Sequence, residues 1–320
     1  MLLYLIERTD FMNKKPIIID CDPGIDDAIM LFTALQCEEL DILGITTVAG
    51  NVSLNKTTQN ALDILDYCKS SVPVYRGMAK PLSDINIDAS HIHGDDGLKG
   101  VLLPKSDTKA NEDAVSFMAK ELLNRPNEIE LLAVGPLTNI AELFTRFPRT
   151  IDCLDRLVIM GGGHAMGNIT PSAEFNIYAD VTAAEIVFSS GVEIHMIGLD
   201  VTMLDGLSKK ELSSLYTKHN AQTQTISSML DRMVFAEGAL FPPFAFIHDA
   251  MALIYVLDPS IVQMNKHAVA IETNPDSIAY GRTVVDVFHV TGDDKNTFVA
   301  SNLDKDKYKE ILFKKLRKYQ

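Results

Sequence analysis

Four aspartates, Asp20, Asp22, Asp26 and Asp27, fall within the eight residues DCDPGIDD. The apolar run KKPIII before them reads as a buried strand, Pro23 and Gly24 as a tight turn, and DDAIMLFTALQ as a helix. Side chains alternate along a strand, so Asp20 and Asp22 are expected to project to one face. Asp26 and Asp27 open the helix, whose free N–H groups favour a nearby anion. Capping and solvation account for one or two of these carboxylates. Held ~4 Å apart, any two repel by about 4 kcal/mol at an effective dielectric of ~20, so the cluster must take up protons, splay or bind a cation. Calcium, which accepts about six to eight oxygen ligands in flexible geometry, suits such a site.

Two other acidic motifs compete. An EF-hand loop starting at Asp20 needs Gly at its sixth position and Glu at its twelfth, where this chain has Ile25 and Leu31. A haloacid-dehalogenase-like phosphatase also sets Asp-x-Asp after an apolar strand, here Asp20 and Asp22. Its later acidic motif is missing, because TGDDKNTF lacks the spacing.

The elements that must hold these residues alternate along the chain. LDILGITTVAGN, IELLAVGPLTN, RLVIMGGG and VEIHMIGLD each read as an apolar strand ending in a turn, and helical spacing follows most of them. This pattern predicts an α/β fold with an open, mostly parallel, mixed sheet and helices on both faces. Ligands bind beyond the carboxyl ends of such strands, where Asp22, Asn51, Thr138, His164 and Asp200 fall. Residues 76–110, rich in Gly, Asp, Pro and Ser, read as a mobile loop, and 207–257 as a helical segment. Residues 1–11 read as a disordered leader ahead of a single domain over 12–320. The charged tail KDKYKEILFKKLRKYQ reads as an outer helix with a solvated face.

With 320 residues and a formal net charge of −14, the chain lacks the clustered cations of a nucleic-acid surface. No apolar run is long enough to span a bilayer, so no membrane partner is expected. Cys21, Cys37, Cys68 and Cys153 show no CxxC spacing and read as free thiols of a cytoplasmic protein.

DCDPGIDDA resembles the N-terminal signature of the inosine–uridine-type nucleoside hydrolases. The resemblance continues, in the family's order, through TTVAGN (46–51), HGDDGL (93–98), VGPLTNIAEL (134–143), GNITPSAEFNIYAD (167–180) and HDAMAL (248–253). It implies calcium held by the carboxylates of Asp22, Asp27 and Asp249 and by the Thr138 carbonyl. It also implies a ribose grip of Asp26, Asn168, Glu174, Asn176 and Asp249, with Asn51 near the attacking water. The hydroxyls of ribose both donate and accept, which acids and amides can match. A helix cap for Thr138 and a plain turn residue for Asn168 stand beside those roles.

The implied reaction is hydrolysis of the N-glycosidic bond of a ribonucleoside, through an oxocarbenium-like state. Calcium is expected to orient a water and lower its pKa, with Asp22 as general base. His248 is the first candidate to protonate the leaving base and His93 the second, because imidazole titrates near neutral pH. A buried structural role is the alternative for His248, and His164 reads as structural or supporting. The chain has no Trp to stack a purine, and Phe235, Phe241, Phe244 and Phe246, in a stretch where several relatives carry tyrosines, are candidates for apolar walls. A non-catalytic calcium- or sugar-binding module would keep the ligands and need no acid. Family likeness further implies a homodimer or homotetramer.

Overall fold

The computed structural model describes residues 14–85, 87–234 and 243–320. The leader expected at residues 1–11 lies outside them. β1 (Lys15–Cys21) leads to α1 (Ile25–Ala34), β2 (Leu40–Thr47) to α2 (Leu54–Tyr67), and β3 (Val74–Arg76) to α3 (Ser90–His93) and α4 (Ala114–Asn124). β4 (Glu130–Ala133) feeds α5 (Thr138–Arg146), and β5 (Arg156–Met160) feeds α6 (Phe175–Ala179) and α7 (Val181–Phe188). β6 (Ile194–Ile197) runs into α8 (Leu199–Thr202), β7 (Leu207–Ser208), α9 (Lys209–Ser213) and α10 (Ala221–Met233). Then come β8 (Phe244–Ala245), α11 (His248–Leu257), β9 (Val262–His267), β10 (Val269–Ile271), β11 (Thr283–Val285), β12 (Thr297–Leu303) and α12 (Lys305–Leu316).

Eight strands form one sheet in the order β3-β2-β1-β4-β5-β6-β12-β9. Its pairs are parallel except β9 with β12, so the expected α/β architecture with a mixed, mostly parallel sheet is what the chain adopts. A parallel sheet buried on both faces needs strands apolar on both sides, which is why Ile17, Ile18 and Ile19 run without a polar break. Ile17 and Ile19 join the core under α1, α2, α10, α11 and α12, while Ile18 joins the core under α4, α5 and α7. Strand order reverses between β1 and β4, and that switch point opens a crevice beyond their carboxyl ends.

Two expectations change. The segment 207–257 is not helical throughout, because β7 and β8 pair as a two-residue ribbon too short to leave a period in the sequence. The C-terminal helix is more than a solvated face: Tyr308, Leu312 and Leu316 sit in the core, four residues apart along one stripe of α12. Even Lys315 is buried, its ammonium 2.6 Å from Glu39. None of the described helices is long and apolar enough to cross a membrane.

Candidate active site

The acidic turn does not hold its four carboxylates together. Asp20 is the last acid within β1, and its buried Oδ1 accepts from Asn139 Nδ2 at 2.7 Å and from the Thr46 hydroxyl. Burial lifts its carboxyl to about 7. The strand ends at Cys21, so Asp22 stands just beyond it and alternation no longer fixes its direction. Fully buried and held by Thr46 and Asn139, Asp20 is in no position to attack a phosphate, and the phosphatase reading loses its nucleophile.

Asp22 lies at the switch point. Its Oδ2 accepts from the Asn51 N–H at 2.6 Å, and its Oδ1 is buried without a hydrogen-bond partner. Asp27 caps α1 as expected of an acid in a first turn, accepting from the Gly24 N–H at 2.9 Å, and also from the Asp22 N–H at 3.2 Å. Asn51 ties the pair together, because its Nδ2 donates to the Asp22 carbonyl at 3.2 Å and to Asp27 Oδ2 at 3.0 Å. A Cβ at Gly24 would strike His93 Nδ1 and Asn51 Nδ2, so a larger residue would push these two side chains aside.

Asp249, in the first turn of α11, meets Asp26 and Asp27 so closely that one oxygen of each lies within 4.8 Å of the others. Asp26 had been read as a ribose contact, and the geometry places it among possible metal donors as well. Thr138 opens α5, and its hydroxyl donates to the buried Asp180 at 2.7 Å; it does not line the cavity.

Above these acids is a cavity of about 320 Å³ lined by Asp26, Asn51, His93, Asn168, Glu174, Asn176, His248 and Asp249, all of them singled out from sequence. Both N–H groups of the Asn176 amide are spent on the Val134 and Met160 carbonyls, at 2.8 and 3.0 Å, so this side chain offers its oxygen. Asn168 is the complement. Its oxygen accepts from the Phe175 N–H at 2.8 Å, closing the turn and leaving its N–H groups to donate. Glu174 caps α6 and also accepts from the Gly162 N–H at 2.9 Å. His248 Nδ1 lies 2.8 Å from the Thr202 hydroxyl, and its ring is near-parallel to that of Phe246. His93 Nδ1 accepts from the Ile25 N–H at 3.2 Å and lies 3.8 Å from Asp26.

The electrostatics are those of a cluster short of a cation. Burial, then the charge of Asp27, pushes the Asp22 carboxyl well above its ordinary range. Burial, then Asp26, does the same to Asp249 and lifts Asp27 to about 7. Burial also lifts Glu174 to about 7 and holds both His93 and His248 below the usual imidazole value. Lys99 lines the cavity, yet its ammonium donates to the Arg232 carbonyl at 3.0 Å rather than to an acid. Together with the orphaned oxygens of Asp22 and Asp26, the all-oxygen donor set fits a hard divalent cation.

Sequence reasoning missed Lys99, Thr202, Asp180 and the apolar wall of Met160, Phe175, Met203 and Met233. Of the four phenylalanines proposed as that wall, Phe246 lines the cavity, Phe244 does not, and Phe235 and Phe241 lie outside the described residues. Thr202 could have been found, since it stands just beyond the end of β6. His164 is exposed, with its main-chain N–H held 2.6 Å from Asp200, and does not line the cavity. The four cysteines are free, two of them half-buried rather than fully inside.

Comparison with known proteins adds an independent line. A family model described as inosine-uridine preferring nucleoside hydrolase matches residues 17–310. A pyrimidine-specific ribonucleoside hydrolase RihA of Salmonella arizonae is 38% identical over 95% of this chain and 99% of its own length. A RihB of Escherichia coli, also described as pyrimidine-specific, is 36% identical over 96% of this chain and 99% of its own. Among solved structures, a purine-preferring ribonucleoside hydrolase from Gardnerella vaginalis superposes with a TM-score of 0.88 at 29% identity, covering 94% of this chain and 98% of that one.

Proposed function

Because the chain belongs to the inosine-uridine preferring nucleoside hydrolase family and is a nucleoside N-ribohydrolase, we propose that it works with one bound calcium, Asp22 as general base and His248 as general acid. Asp22, Asp27, Asp249 and the Thr138 carbonyl would hold the ion. When bound, it would supply the missing counter-charge and would orient and acidify a water.

Asp22 receives the attacking water's proton, and Asn51, fixed between Asp22 and Asp27, orients the attack. Asp26, Glu174 and Asp249 grip the ribose hydroxyls together with the donor of Asn168 and the acceptor of Asn176. The same acids favour positive charge as it grows on the sugar. His248 gives its proton to the departing base. His93, carried by the loop over 76–110, closes over that base as the second acid candidate.

The observation that carries this reading is the meeting of Asp26, Asp27 and Asp249, one oxygen of each within 4.8 Å of the others, beside a cavity lined by Asp26, Glu174, Asp249 and His248. Free ribose released from uridine and from inosine, measured with and without a chelator, tests it. The expected result is release that stops on chelation and returns with calcium, and release indifferent to chelator would end the calcium reading. We further take the protein to be cytoplasmic, in keeping with its free thiols, and to assemble as a homodimer or homotetramer. Sedimentation at working concentration checks the assembly.

A further inference from the structure

We propose that Thr202 is the positioning residue that makes His248 a proton donor: its hydroxyl occupies Nδ1, so that the proton passed to the leaving base comes from Nε2. The proposal rests on the general-acid reading of His248. Thr202 is 1% exposed at the end of α8, where its own N–H is spent on the Gly198 carbonyl at 3.1 Å. Its Oγ1 is 2.8 Å from His248 Nδ1. The Phe246 ring lies near-parallel to the imidazole, inclined by 21° with centroids 6.3 Å apart. With Nδ1 engaged, Nε2 is the nitrogen left to the cavity.

The partner's chemistry matters as much as its position. A hydroxyl both donates and accepts. It accepts from Nδ1–H when both ring nitrogens carry protons, and it continues to accept after Nε2 has given its proton away. His93 is held differently, by the Ile25 N–H, which can only donate and therefore matches a bare Nδ1. In the reaction, the bond from C1′ to the base nitrogen breaks and its electron pair leaves with the base. The Nε2 proton goes to the base, the water oxygen bonds to C1′, and the proton of that water goes to Asp22.

Thr202→Val removes the hydroxyl and keeps the shape, while Thr202→Ser restores the hydroxyl. On uridine, Thr202→Val should lower kcat about tenfold or more, short of the ~10²–10⁴-fold that loss of the acid itself costs. On p-nitrophenyl riboside, whose leaving group departs as a stable anion, kcat should change less than about twofold, because no proton need be delivered. KM should hold for both substrates, and Thr202→Ser should recover most of the rate on uridine. In the His248→Ala background, Thr202→Val should cost nothing further, since a residue acting through His248 has no path left.

Equal slowing of both substrates by Thr202→Val, or failure of Thr202→Ser to recover, overturns the proposal. If Thr202→Val folds poorly, the pair Thr202→Ser and Thr202→Ala decides on the same criteria. His248→Ala separates the two readings. If it slows both substrates alike, the acid reading fails and this proposal falls with it; if it spares the activated substrate while Thr202→Val spares neither, the Thr202 assignment alone falls.

Discussion

Opposite ends of the same sheet bury acids in opposite ways. At the amino end Glu130, the first residue of β4, is fully buried, but Arg156 Nε lies 2.5 Å from one oxygen and Lys15 Nζ 3.0 Å from the other. At the carboxyl end Asp22, Asp27, Glu174 and Asp249 are as deeply buried, and among the described residues no Lys or Arg pairs with them. The first arrangement is closed, because every charge has its partner within the chain. The second is open to a cation and a substrate. Burial of charge alone does not mark a site; several buried acids without a cationic partner meeting beside a cavity do.

The contrast can be pressed hardest at Asp22. Asp22→Asn should keep the fold and lose turnover by at least about 10²–10⁴-fold, since an amide cannot take the water's proton. A variant retaining half the rate would return Asp22 to the structural class of Glu130.

His248→Ala should slow natural nucleosides by about 10²–10⁴-fold and p-nitrophenyl riboside far less. His93→Ala should instead shift KM and kcat together, as expected of a residue on a closing loop. A parallel loss on both substrates with His248→Ala would move that histidine out of the chemistry.

Glu130→Gln should do the converse, leaving kcat intact while lowering the unfolding free energy. The loss should be roughly 3 kcal/mol, the low end for a broken buried pair, because Lys15 is partly solvated. Denaturant titration reads the loss, and an unchanged midpoint would show that pairing at this end is dispensable.

Asp27 belongs to both classes, being a cap and a proposed ligand. Asp27→Ala should lose about 0.5–2 kcal/mol of stability for the cap. It should also lose the rise in thermal midpoint that calcium gives the parent protein, worth about 2.7 kcal/mol at a hundredfold excess over Kd. A variant that still responds to calcium would leave Asp27 as a cap only.

What could be read from the sequence was whatever local spacing carries. Strand–turn–helix alternation was legible because each unit is contiguous, and Asp22 and Asp27 because the turn between them is. Asp20 was not, since the group that claims it, Asn139, stands 119 positions away. The buried stripe of α12 was masked by the lysines that share its helix. Lys99 carries no motif, and only the closing of the cavity gives it a place.

The neighbours that meet at the switch point, β1 and β4, are joined only after the chain has passed through β2, β3 and four helices. Closing that long excursion costs chain entropy before any contact returns it. On the path to the native state, helices and local strand pairs can therefore be complete while the crevice is still missing a wall. In refolding, recovery of ribose release should lag behind recovery of far-ultraviolet ellipticity, and the lag measures the time the chain needs to bring Asp22 and Asp249 to the same place.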